Sequence, residues 1–268
     1  EIPLIILSTV KQEDQGLYFE LQKSSFAGLK INDTYYPLYI EAGNELSISI
    51  SSGEGSPAIS FSGEGSIANN YLTEITAIVD GFYQTNGEFW RSDTHVAEKA
   101  LLHLQDELAQ YHQTYEDTSQ LAPEILVLFQ QRNHLILIDL IQQYSVINQI
   151  PYAETDGLAE IFTQTSSKIP MEKKYLDLRM IEYARVLELY LRAEIHPIFT
   201  RGKEAAELDA LKESFPTSSH ELIKARDFPD EVEEYLLAID MSHWMGLQGL
   251  TPPIDSLYQE FIKLYPTS

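Results

Sequence analysis

The hydrophobic pattern changes period near residue 65, and that change restricts the chain to one broad architecture. Before it, apolar and polar residues alternate. Leu17, Phe19 and Leu21 alternate with Tyr18, Glu20 and Gln22, and Leu38 and Ile40 with Tyr39 and Glu41. Leu46, Ile48 and Ile50 alternate with serines, as do Ile59 and Phe61. Turn residues separate the runs at Asn32-Asp33, Gly43-Asn44 and Ser52-Gly53-Glu54-Gly55. Alternation with regular turns marks half-buried antiparallel strands. A small β-sandwich or curved sheet is expected over residues 1–62, within a β domain covering 1–65. So short a segment buries little apolar area alone and should lean on the rest of the chain.

From residue 66 the period is helical, and residues 66–268 read as a helical domain; the fold class is α+β. A first helix is expected from Ser66 to about Phe82. Ser92-Asp93 can cap a second, running to about Tyr115. Its apolar stripe is Ala97, Ala100, Leu101, Leu104, Leu108, Tyr111 and Tyr115. Pro123 opens a third helix, where its missing N–H costs nothing. That helix runs to about Ile147 and is apolar nearly all round in its second half, so it belongs in the centre of a bundle. Further helices are expected over 154–166, 172–195, 202–214, 219–227, 230–245 and 253–265. No repeat of the helical-array type survives comparison along the chain.

Composition narrows the function. Among 268 residues, 18 are Lys or Arg and 41 are Asp or Glu, giving a net charge of −23. Nucleic-acid binding needs a basic face, so no nucleic-acid partner is expected. An anionic membrane surface would repel the chain, and no run approaches the ~20 apolar residues of a spanning helix. Cys is absent. That removes thiol nucleophiles, disulfides, Cys-ligated zinc and iron–sulfur clusters. The start, Glu1-Ile2-Pro3-Leu4-Ile5-Ile6-Leu7, has neither an initiator Met nor a basic flank, and reads as a mature form whose export signal is gone.

Several groups of residues carry chemistry in other proteins, and each also has a structural reading. Gly63-Glu64-Gly65-Ser66-Ile67-Ala68 fits G-x-G-x-x-A. No second parallel strand comes after it, and Glu64 would oppose a pyrophosphate, so the segment reads as a glycine turn into a helix. No cofactor is expected. His95, His103 and His112 share one helix with Glu98, Glu107 and Glu116, but His95 and His112 lie about 25 Å apart along its axis. They read as solvated face residues, and no metal site is expected. His134 and Asp139 point about 140° apart on the third helix. Arg132 and Asp139 share a face and read as buried polar contacts to another helix. Asp230, Glu231, Glu233 and Glu234 fill a first helical turn, where carboxylates favour the dipole. Trp90 beside Arg91, and Trp244 near a helix end, are candidate partner contacts.

Two segments resemble a known family. Tyr36-Pro37-Leu38-Tyr39-Ile40-Glu41-Ala42-Gly43-Asn44-Glu45-Leu46-Ser47-Ile48 is followed by Ser60-Phe61-Ser62-Gly63-Glu64-Gly65-Ser66-Ile67-Ala68-Asn69-Asn70-Tyr71-Leu72. Together they resemble the region preceding the thioredoxin-like domain in envelope thiol–disulfide oxidoreductases of Bacteroidetes. That pattern is a strand pair ending in a Gly-Asp turn, then a glycine-rich entry into a helical region with an Asn and a Leu. Here Gly43-Asn44 takes the turn, and Gly63, Gly65, Asn69 and Leu72 fall on the second motif. Asp255-Ser256-Leu257-Tyr258-Gln259-Glu260-Phe261 is similar to the helix that leads toward the catalytic domain.

In such relatives a Cys-x-x-Cys thioredoxin fold comes next. With no Cys present, the redox activity carries onto no residue of this sequence. The resemblance implies a non-catalytic accessory region, periplasmic or attached to the outer membrane through an upstream lipid anchor. Its partner would be a C-terminal thioredoxin-like domain or a protein that domain acts on. The alternatives are a free-standing binding or scaffold protein of the envelope and, more remotely, a hydrolase with two facing carboxylates.

Overall fold

A computed structural model describes residues 23–31, 34–51, 58–118, 120–148, 169–196 and 213–266, together with Glu204 and Glu207. The fold is α+β: two small antiparallel sheets, then a larger helical region. Strands β1 (Ser25–Ile31) and β2 (Thr34–Ile40) form one ribbon, and β3 (Leu46–Ser51) and β4 (Ala58–Gly63) form the other. The helices are α1 (Ser66–Thr85), α2 (Thr94–Thr118), α3 (Pro123–Ile147), α4 (Lys173–Asp177), α5 (Ile181–Tyr190), α6 (Phe215–Lys224), α7 (Asp230–Gln248) and α8 (Pro252–Leu264). A 3-10 turn covers Phe89–Arg91, and a π-turn, Leu191–Ile195, continues α5.

The chain divides into two compact units. One takes Glu1–Leu137 with Asp177–Glu182, the other Ile138–Leu176 with Tyr183–Ser268. The strands, α1, α2 and the first half of α3 fall in the first of these units. The ribbons themselves are small. Leu29 and Leu38 of the first meet Phe61 of the second, with Ala27, Tyr36, Ile40, Leu46, Ile48 and Ile59 around them. That is too little apolar area for independent stability.

The first ribbon's opposite face is buried as well. Phe26 and Tyr39, paired across β1 and β2, pack on Phe129 of α3 with ring centroids 6.2 and 5.6 Å away. On that face Tyr35 lies across Gly28, close enough that a Cβ there would meet its ring. Strand β1 was not legible as an alternating run for this reason: Ser-Phe-Ala-Gly-Leu-Lys-Ile is apolar toward both layers. The second ribbon is one-sided, and its alternation shows: along β3 the serines are exposed while Leu46, Ile48 and Ile50 are half-buried.

The first three helices agree closely with the sequence pattern. The Asp93 carboxylate accepts the His95 and Val96 N–H groups, both at 3.0 Å, and so caps α2. Residues 135–142 of α3 are all buried, the apolar run of Leu135–Ile138, Leu140 and Ile141 taking Asp139 and Gln142 in with it. The helix expected over 172–195 is interrupted instead. The Leu178 carbonyl turns aside to accept the Phe26 N–H at 2.7 Å, and Arg179 takes a left-handed φ of 56°. The strand thus draws away a carbonyl that the helix would otherwise have used. The expected helix over 219–227 begins earlier, at Phe215, with Pro216 in its first turn. Helix α7 runs past Gly246 to Gln248 and ends at Gly249 with φ 72°. The strand expected over residues 17–21 and the helix over 154–166 lie outside the described residues, as does nearly all of that over 202–214.

Candidate functional site

Gly43, Gly63, Gly65, Asn69 and Leu72 gather at one junction in the first unit. Asn69, in the first turn of α1, is fully buried. Its Oδ1 accepts the Tyr39 N–H at 2.9 Å, and its Nδ2 donates to the Tyr39 carbonyl at 2.8 Å and to the Gly65 carbonyl at 2.9 Å. One amide side chain therefore pairs with the edge of β2 as another strand would. Gly63 ends β4 with φ 84°, and a Cβ there would stand 2.6 Å from the Glu45 carbonyl oxygen. Gly65 comes next at φ 80° and leads into α1. Gly43 turns between the ribbons at φ 89°, with open space where a Cβ would be. Leu72, one turn beyond Asn69, has no exposed surface. The five motif positions thus build a β-to-α junction. Among the described residues both sheets are antiparallel, so the G-x-G-x-x-A match lacks the parallel setting of a dinucleotide site.

Below the junction lies a buried polar chain. Asn133 Nδ2 of α3 donates to the Tyr71 oxygen of α1 at 2.7 Å, and the Tyr71 hydroxyl lies 3.0 Å from His112 Nδ1 of α2. With the Tyr71 O–H donating, His112 carries its proton on Nε2, which faces the Glu116 carboxylate at 3.5 Å. Burial, above all, pushes the Tyr71 phenol up to about 12. It also holds the His112 imidazole below its ordinary range, against the opposing charge of Glu116. Tyr71 stacks on Phe129 at 4.9 Å and meets Tyr115 edge-on at 5.0 Å. The phenol is enclosed, and this chain of contacts joins three helices.

His112 corrects the sequence expectation. His95 and His103 are exposed, but the His112 side chain is only 6 % exposed. Its signal was present: it continues the stripe of Ala97, Leu101, Leu104 and Leu108 by one further turn. Arg132 and Asp139 of α3 are buried polar contacts, as their shared face implies. Arg132 bonds the Glu182 carboxylate at 2.5 Å in the first unit, and Asp139 pairs with Arg185 at 2.9 Å in the second.

Trp90 is half-buried, 4.8 Å from the Phe89 ring, and Phe89 rather than Trp90 plugs the core beside Phe82. Arg91 is exposed, its guanidinium 3.9 Å from Glu88. Trp244 is buried with Phe215 and Ile254. Its indole N–H donates to Asp240 Oδ1 at 3.1 Å.

That oxygen is the centre of the second unit's polar node. It also accepts the Ser219 hydroxyl at 2.7 Å and stands 2.9 Å from His196 Nε2. Ser, His and Asp are therefore together, but in the wrong order for acyl transfer. A serine nucleophile needs the imidazole between itself and the carboxylate. Here serine and imidazole both point at the carboxylate, and Ser219 is fully buried. Sequence reasoning missed the node because its members lie far apart in the chain; only Trp244 was singled out. Among the described residues no cluster of three or more His, Asp or Glu side chains could hold a metal ion, and no helix is long and apolar enough to cross a membrane. No family model, curated protein or solved structure matches the chain.

The two glycines of the junction differ in a way that stability measures. Gly63→Ala combines a left-handed backbone with a clash and costs about 3 kcal/mol, whereas Gly43→Ala bears only the backbone term of about 1 kcal/mol. Urea unfolding followed by circular dichroism reads the difference; equal midpoints contradict it.

Tyr71→Phe leaves Asn133 and His112 unpaired and costs about 2 kcal/mol. The His112 contribution also depends on pH. The unfolded imidazole takes up a proton near pH 6.5 and the folded one only at lower pH. Below about 6.5 the unfolded state binds more protons, so stability falls with acid. Replacing His112 by Gln makes the loss between about pH 7.5 and about pH 5 smaller, which unfolding curves at several pH values check.

Proposed function

We propose that this chain is a non-catalytic N-terminal accessory region of an envelope thioredoxin-like protein, which positions a redox domain or selects the partners of that domain. The observation that carries the reading is the junction of Gly43, Gly63, Gly65, Asn69 and Leu72. The residues on which the sequence resembles that family are the ones whose backbone and side-chain roles the fold depends on. The absence of Cys supports the same reading, because thiol chemistry then has to reside outside these 268 residues. The charge of −23 favours a protein partner over nucleic acid or an anionic membrane surface.

The experiment has two parts. The native reading frame is sequenced past Ser268, and the intact mass is measured from the source cells. A downstream thioredoxin-like domain with Cys-x-x-Cys is the expected result, with insulin disulfide reduction by the longer protein and none by this chain. A stop codon near Ser268 overturns the reading in favour of a free-standing binding or scaffold protein. Thiol–disulfide turnover by this chain alone overturns it outright.

A further inference from the structure

Three tyrosines meet in the first unit, and among the described residues only one of them has a base facing its hydroxyl. Tyr71 of α1 meets Tyr115 of α2 edge-on with ring centroids 5.0 Å apart, and Tyr111 of α2 at 5.6 Å. The Tyr111 and Tyr115 hydroxyls bond each other at 3.2 Å. Both of these residues are half-buried, whereas Tyr71 has no exposed surface. The Asn133 amide donates to the Tyr71 oxygen at 2.7 Å, which directs the phenol's own proton at His112 Nδ1, 3.0 Å away. On the far side of the imidazole, Nε2 faces the Glu116 carboxylate at 3.5 Å, and that carboxylate reaches solvent.

We propose that Tyr71 is a redox-active tyrosine: a cationic one-electron oxidant at the surface beside Tyr111 and Tyr115 draws an electron from the cluster, the vacancy comes to rest on Tyr71, and the Tyr71 proton passes to His112.

A phenol gives up an electron readily only when its proton leaves with it, because the oxidised phenol is a strong acid. Here the Tyr71 O–H bond breaks and its proton bonds to His112 Nδ1. One electron passes through the touching ring of Tyr115 or Tyr111 to the oxidant, which is reduced by one electron. The products are a neutral phenoxyl radical and an imidazolium whose charge Glu116 offsets. Return of the electron and the proton restores both side chains. Tyr111 and Tyr115 can pass the vacancy on but not keep it, since each hydroxyl bonds the other phenol, which is no base. Burial holds the His112 imidazole below its ordinary range, so at neutral pH it is uncharged and open to a proton. Burial likewise pushes the Tyr71 phenol up to about 12, so the proton stays in place until the electron goes. The charge of the oxidant follows from that of the protein: the chain carries −23, and Glu74 and Glu116 act on the tyrosines. The cluster uses no thiol, so its role is independent of any thioredoxin-like domain.

The test is light-driven oxidation of the full chain by a cationic ruthenium tris(bipyridine) complex with a sacrificial acceptor, read by electron paramagnetic resonance on rapidly frozen samples. The unaltered protein gives a neutral tyrosyl radical. In Tyr71→Phe its lifetime falls about tenfold or more, and it falls as far in His112→Gln, where the amide accepts a hydrogen bond but takes up no proton. An unchanged signal and lifetime in either variant overturns the proposal. So does a radical on tryptophan alone in the unaltered protein. Should neither variant fold, the unaltered protein decides, with its histidines labelled by nitrogen-15. Coupling of the tyrosyl radical to an exchangeable proton and to an imidazole nitrogen supports the pair of Tyr71 and His112, and a tyrosyl radical with neither coupling overturns it.

Discussion

The first unit depends on one amide. Asn69 gives β2 the hydrogen bonds of a neighbouring strand, and it does so from a helix. Each buried backbone group left unpaired costs about 1–3 kcal/mol, so the two Tyr39 groups alone set a strong requirement for a side chain with both a donor and an acceptor. Asp or Leu cannot meet it. Gly65 answers the same demand, because its carbonyl takes the second Nδ2 contact and its left-handed backbone turns the chain from β4 into α1. Gly63 is required in turn, since only a residue without Cβ passes the Glu45 carbonyl at that point. A motif that reads as a loose glycine pattern is thus a single mechanical part.

Both units fix their helices with polar groups surrounded by apolar ones, and in neither is the polar group an obvious source of stability. Burying an ion pair such as Arg132 with Glu182 takes two charges out of water, and the attraction between them offsets that cost only when geometry is good. What such contacts supply is register. Leu or Ile in the long apolar half of α3 would pack nearly as well after a rotation or a one-turn slide. Arg132 and Asp139 would not, because each would lose its partner, Glu182 or Arg185. Asn133 with Tyr71 and His112 performs the same service across α1, α2 and α3.

Legibility in the sequence tracks how one-sided each element's environment is. Strand β3 faces core on one side and solvent on the other, so its serines give it away. Strand β1 is covered on both sides and gave no period. Helices α1, α2 and α3 were readable because their stripes, caps and prolines are local features. The interruption between α4 and α5 was not, since it arises from a carbonyl committed to Phe26, about 150 residues earlier in the chain. His112 was misread because histidine is ambivalent: its position in the stripe, rather than its chemistry, held the answer. The motif glycines and Asn69 were recognisable one by one, but their meeting at Tyr39 is a tertiary fact.

The Asp240 node shows why residue types alone are a poor guide to chemistry. It gathers Ser219, His196, His243, Trp244 and a carboxylate within a few ångströms, an inventory that elsewhere serves acyl transfer. Order decides otherwise. With three donors converging on one carboxylate oxygen, the serine is a donor to an anion and has no base aimed at it. The carboxylate therefore acts as a structural anchor that gathers Ser219 of α6, His196, and Trp244 of α7 on one oxygen.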